Sequence, residues 1–99
     1  MKRFTDFSND IILLSPEAEE HIASVHPEVS AVQIASTLEC PDEVRRSSYK
    51  KTAFLYYRSK KNKRFICVVV KECPDGFFIA TAMTTTKPKS GEVIYVRKK

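Results

Sequence analysis

Two histidines, one strand-end arginine and a run of threonines are the side chains in this chain that can move protons or hold an anion. His21 and His26 carry the group that titrates nearest neutrality, which makes each a candidate general acid or base. Five positions on a helix separate them by about 140°, unlike i, i+4 metal ligands on one face. No cysteine or carboxylate completes a zinc shell around them, so neither a metal nor a cofactor is expected. His26 precedes Pro27, where an imidazolium gains from a helix C-terminus, a structural role that competes with a chemical one. Arg58 presents a planar fork matched to phosphate, and it also reads as a solvated strand-end charge. The stretch Ala80-Thr81-Ala82-Met83-Thr84-Thr85-Thr86 leaves room in mid-strand for a ligand, although β propensity alone accounts for its threonines. Tyr56 and Tyr57, with Phe54 and Tyr95, carry rings able to stack on bases; strand aromatics more often pack in cores or against cross-strand partners. Lys87 follows the threonines as a further cation.

Charge places these residues in a particular field. Residues 1–49 carry four Lys/Arg against nine Asp/Glu, and residues 50–99 carry thirteen against three, which together give the net charge of +5. Such asymmetry in one small chain points to a basic face, for which nucleic acid is the commonest polyanion. A soluble protein with a lysine-rich surface has the same composition.

The elements that must position these residues divide into a helical front and a strand-rich back. Ninety-nine residues make one domain, large enough to bury a core without staples. After a short apolar run, Asp10–Leu14, the Ser15-Pro16-Glu17 sequence predicts a helix start, and the helix runs to about Val25. A second helical pattern runs from Glu28, with Ala31, Ile34, Ala35 and Leu38 on one stripe, to Cys40-Pro41. Strands are then expected at Glu43–Ser47, Thr52–Ser59, Arg64–Lys71, Phe77–Thr85 and Glu92–Arg97. Alternation sets Ala53, Leu55 and Tyr57 on one face and Phe54, Tyr56 and Arg58 on the other. Pro74-Asp75-Gly76 is turn chemistry, with Gly76 supplying a positive φ. Read in the order β-α-α-β-β-β-β and joined by hairpin-length loops, the strands imply a mostly antiparallel sheet with the helices packed on one face, an α+β fold of two layers.

Several classes are excluded or disfavoured. Two glycines build no Gly-rich phosphate loop, and there is no G-x-S-x-G or H-E-x-x-H. Cys40, Cys67 and Cys73 form no C-x-x-C, and three thiols cannot all pair internally. No apolar run approaches membrane-span length and the N-terminus lacks a secretory h-region, so a cytoplasmic protein without membrane contact is expected.

An ordered set of short motifs carries a family likeness. It comprises His21-Ile22, His26-Pro27-Glu28, Leu38-Glu39-x-Pro41-Asp42-x-Val44, Tyr56-Tyr57-Arg58, Val68-Val69-Val70-Lys71, Ile79-Ala80-Thr81-Ala82 and Lys87-x-Lys89-x-Gly91. Together these resemble the phage-associated barnase/EndoU/colicin/RelE-like (BECR-type) nuclease domains of phage and toxin settings, from about Ile11 to Tyr95. The resemblance implies a small metal-independent RNA endonuclease of α+β fold, with two N-terminal helices packed on one face of a four- to five-stranded, mostly antiparallel sheet. His21, Arg58 and Thr81 would be catalytic. His26, Tyr56, Tyr57, Thr84, Thr85, Lys87 and Lys89 would line the substrate. His21 would act as acid or base, Arg58 and Lys87 would stabilise phosphate charge, and Thr81 would hydrogen-bond it. RNA would be the substrate and an acidic antitoxin or immunity protein the partner. Met83 departs from the aromatic residue often found there in the group, which puts base stacking at that position in doubt. A non-catalytic nucleic-acid-binding module and a protein-interaction domain with a basic face are the alternatives.

Overall fold

The structure is a computed structural model that describes residues 1–88 and 91–98. Its elements are β1 (Lys2–Thr5), β2 (Ile11–Leu14), α1 (Pro16–Val25), α2 (Ala31–Glu39), β3 (Glu43–Ser47), β4 (Ala53–Lys60), β5 (Arg64–Cys73), β6 (Gly76–Thr85) and β7 (Gly91–Val96). The strands form one sheet in the order β1-β2-β6-β5-β4-β3-β7. The β2–β6 pair is parallel, and every other neighbouring pair is antiparallel.

This corrects the expected fold. The sheet has seven strands, not four or five, and is mixed, and β1 adds a second strand ahead of the helices, where one is expected. β1 escapes sequence reading because only Phe4 of its four residues is even partly buried, so no alternation marks it. β2 falls on the apolar run Asp10–Leu14 that leads the expected order, but its parallel pairing (Ile12 with Phe77, Leu13 with Phe78) joins positions 65 residues apart, which no local pattern marks. β7 returns beside β3, across the whole sheet from β2.

Both helices begin on a serine cap. The Ser15 hydroxyl accepts from the Ala18 amide, with Pro16 at the first helical position, where a missing N–H costs nothing. Ser30 and Gln33 form a reciprocal capping box, so α2 starts at Ala31, three residues later than periodicity alone predicts. His26 caps the C-terminus of α1, its amide donating to the Ile22 carbonyl.

The helices cover one sheet face. Ile22, Val29, Ile34 and Leu38 pack there on Ile12, Val44, Tyr56, Ile66, Val68, Val70, Ile79 and Ala82. At this core's rim lies a buried carboxyl group, Asp6, only 4% exposed. Its carboxylate accepts from the Ser8 and Asp10 amides at 3.0 and 2.9 Å and from the Tyr56 hydroxyl at 2.7 Å. Burial, and then the bond to Asp6, hold the Tyr56 phenol protonated well above its ordinary range.

The same β1–β2 turn reaches the far edge of the sheet. Phe7 stacks on Tyr95 of β7 with ring centroids 4.2 Å apart, and its amide donates to the Leu38 carbonyl. The sheet is therefore curled around α2, as cumulative strand twist permits.

Tyr56→Phe tests this tie. Losing a bond to a buried carboxylate is expected to cost roughly 1.5–3 kcal/mol in urea unfolding; a loss below about 0.5 kcal/mol would show that the tie is not structural.

Candidate functional site

The β4–β5 hairpin gathers the cations that the second half of the sequence contributes. Lys60 pairs with Arg64 across it, and Lys61, Asn62 and Lys63 make the turn. Asn62 and Lys63 both sit in the left-handed region, at φ 65° and 58°. Asparagine tolerates that region; lysine pays about 1–2 kcal/mol there, where glycine would be free of strain. Among the described residues, Lys60, Lys61, Lys63 and Arg64 form no ion pair. An open pocket of about 490 Å³ lies between this hairpin and α2, lined by Gln33, Ser36, Arg58, Ser59, Lys60, Lys61 and Ile66.

One flank of the pocket is pinned by charge. Arg58 Nη1 donates to the Cys40 carbonyl at 2.7 Å, closing the C-terminal end of α2. Asp42 accepts from the Ser59 amide at 2.6 Å and pairs with Arg97 at 2.5 Å. Burial acts to raise the Asp42 carboxyl. The Ser59 bonds, then the Arg97 and Arg58 charges, outweigh it and hold the group below its ordinary value. The exposed Cys40 thiol is likewise lowered, by the Arg97 guanidinium 3.0 Å away and then by Arg58.

The histidines meet the sheet two strands from Arg58. Register places Thr84, Ile66 and Arg58 in one cross-strand row, so the α-carbons of Thr84 and Arg58 are roughly 10 Å apart. The Thr84 hydroxyl donates to Glu28 Oε2 at 3.2 Å, and His26 Nδ1 stands 3.7 Å from the same oxygen. Glu28 is held below its ordinary value by its own amide first, then by the Thr84 hydroxyl and His26. The exposed His21 ring lies 6.5 Å from that of His26. The arrangement is an oriented imidazole with a second one beside it, tied through Glu28 to Thr84, which stands opposite Ile66 of the cationic pocket.

His21, His26, Arg58 and Thr84 thus share the helix-covered face and one end of the sheet. Thr81 does not join them: it is in register with Val69 and, through it, Leu55, on the opposite face, its hydroxyl buried without a partner among the described residues. Thr85 lies on that opposite face too, donating to the Lys87 carbonyl, and Lys87 is exposed. Tyr56 and Tyr57 are not available for stacking on a ligand: they are 6% and 0% exposed, Tyr56 under the helices and Tyr57 in a second cluster with Leu55 and Cys67. Lys89 lies outside the described residues. No protein-family model, curated protein or solved structure matches this chain.

Glu28 is the site residue that sequence reasoning passed over. Its signal was present in His26-Pro27-Glu28, where proline turns the chain directly after a helix and brings a carboxylate beside an imidazole. Among the described residues no helix is long and apolar enough to cross a membrane.

The Asp42 carboxylate gives this flank a pH signature. A folded-state pKa below the unfolded one contributes stability above the ordinary value near pH 4, lost as pH falls through the lowered folded value. Asp42→Asn is therefore expected to flatten the acid limb of a stability–pH curve below about pH 4; parallel curves for the two proteins would refute the assignment.

Proposed function

We propose that this chain is a metal-independent RNA endonuclease that draws its substrate onto the basic end of the sheet. The observation carrying the reading is Glu28, which bridges His26 and Thr84, the residue that shares a cross-strand row with Ile66 and Arg58 of the pocket that Lys60 and Lys61 also line. The resemblance to BECR-type nuclease domains supports it independently.

In this mechanism His26 takes the proton of a ribose 2′-hydroxyl, and Glu28 stabilises the imidazolium that forms. The 2′-oxygen attacks phosphorus and the bond to the 5′-oxygen breaks. His21, 6.5 Å from His26, donates the proton that the leaving oxygen needs. The products are a 2′,3′-cyclic phosphate and a 5′-hydroxyl. Arg58 and Lys61 offset the charge that builds on phosphate, and Thr84, rather than Thr81, is the hydroxyl on this face. A reducing compartment such as the cytoplasm would suit the exposed Cys40 thiol. An acidic antitoxin or immunity protein would inhibit by covering the same cations.

One observation favours the binding-only alternative: Arg58 is already bonded to the Cys40 carbonyl, so its phosphate contact requires that bond to be shared or exchanged.

Purified protein incubated with mixed-sequence fluorescent RNA in EDTA is expected to produce cyclic-phosphate ends. His26→Ala is expected to slow cleavage roughly 10²–10⁴-fold with the fold retained. Cleavage that requires a divalent metal, or that is unchanged in His26→Ala, would overturn the mechanism. Intact RNA with salt-dependent binding would leave the binding module.

A further inference from the structure

At the opposite end of β4 lies a second basic tip that the proposed cleavage site does not use. The β3–β4 turn runs through Ser48, Tyr49, Lys50 and Lys51, and Tyr49 is 91% exposed, the most exposed large apolar side chain among the described residues. The tip is ordered by its own bonds. The Ser47 hydroxyl accepts from the Tyr49 and Lys50 amides at 3.1 and 3.3 Å, and the Ala53 amide donates to the Lys50 carbonyl at 2.9 Å. Among the described residues, no ring packs on Tyr49 and no carboxylate pairs with Lys50 or Lys51. Arg46 lies nearby, its guanidinium 5.4 Å from the Phe54 ring, but it is already paired with Glu92 at 3.9 Å, so Lys50 and Lys51 carry the charge of the tip.

A bare aromatic ring beside two lysines on a fixed turn is poorly explained by folding, because it buries nothing. It does fit a polyanion whose flat bases are free to stack. Base–aromatic stacking accepts any base, and neighbouring cations hold the phosphates on either side. A paired duplex offers no unstacked base to such a ring, whereas a single strand does.

We propose that Tyr49, with Lys50 and Lys51, stacks an unpaired base of the same RNA strand whose phosphates meet the β4–β5 hairpin, so that the protein selects single-stranded RNA. This rests on the RNA reading above. The eight residues of β4 separate the two tips by roughly 25 Å, or about seven stacked nucleotides at about 3.4 Å each. A strand shorter than that engages one tip only.

The test uses 2′-O-methyl oligonucleotides, which lack the attacking hydroxyl and stay intact: a single-stranded 4-mer, a single-stranded 12-mer and a 12-base-pair duplex. For the 12-mer, Tyr49→Ala is expected to weaken binding about tenfold or more, and Tyr49→Phe to bind like the parent. The 4-mer and the duplex are expected to bind more weakly and to be insensitive to Tyr49→Ala. The slope of log K against log salt is expected to persist in Tyr49→Ala and to fall by about 1.4 in Lys50→Ala/Lys51→Ala, as two lost single-strand phosphate contacts require. Parent-like binding of the 12-mer by Tyr49→Ala would overturn this inference. If Lys60→Glu/Lys61→Glu/Lys63→Glu then still abolished that binding, the RNA reading would stand without it. Failure of the parent protein to bind any of the three probes would overturn both.

Discussion

The architecture depends on one buried carboxylate. Asp6 fastens the β1–β2 turn through two backbone amides and reaches across the core rim to the Tyr56 hydroxyl. That fixed turn carries Phe7, which packs on Tyr56 and stacks on Tyr95. Strands at opposite ends of the sheet order are thereby drawn together around α2. A buried carboxyl group is tolerated there because every contact it makes satisfies an oxygen, and leaving it unpaired would cost more than the bonds themselves contribute. Once the sheet is curled, α1 lies over β6 and α2 over β5 and β4. This brings the end of α1 to Thr84 and the body of α2 to the β4–β5 hairpin.

Charge follows from that geometry. The acidic first half of the chain supplies α1, whose first turn bears Glu17 and Glu19 where the helix dipole favours them. The basic second half supplies the hairpins, whose tips project away from the core. The two halves therefore produce a polar molecule instead of cancelling, with cations concentrated at turns. Retaining Lys63 in a left-handed conformation, where glycine would be unstrained, fits a tip selected for charge over backbone ease.

How much of this was legible in the sequence depends on the range of the interaction concerned. Local signals read well. Ser15-Pro16 started α1, Pro41 ended α2, and the alternation through β4 separated Leu55 and Tyr57 from Phe54, Tyr56 and Arg58 as the two cores do. Long-range pairing did not read. β1 has no apolar alternation, β2 pairs with a strand 65 residues away, and the face that Thr81 occupies depends on a bulge near Val69/Val70 that no propensity marks. The tyrosines show the same limit: Tyr56 and Tyr57 look like stacking platforms by type, yet burial removes them, while Tyr49 stands exposed in a turn.

The central claim is that RNA meets the protein where Glu28 joins His26 to the sheet, beside the cationic hairpin. Its most direct test is a titration of labelled protein with an uncleavable 2′-O-methyl RNA strand, followed by NMR of the imidazole and backbone signals. The account predicts that the His26 and His21 rings and the amides of 58–64 and Thr84 shift together, saturating at one affinity, while the buried Asp6–Tyr56 region stays unmoved. Shifts that leave both histidines and this hairpin untouched, or no shifts at all in the folded protein, would contradict it.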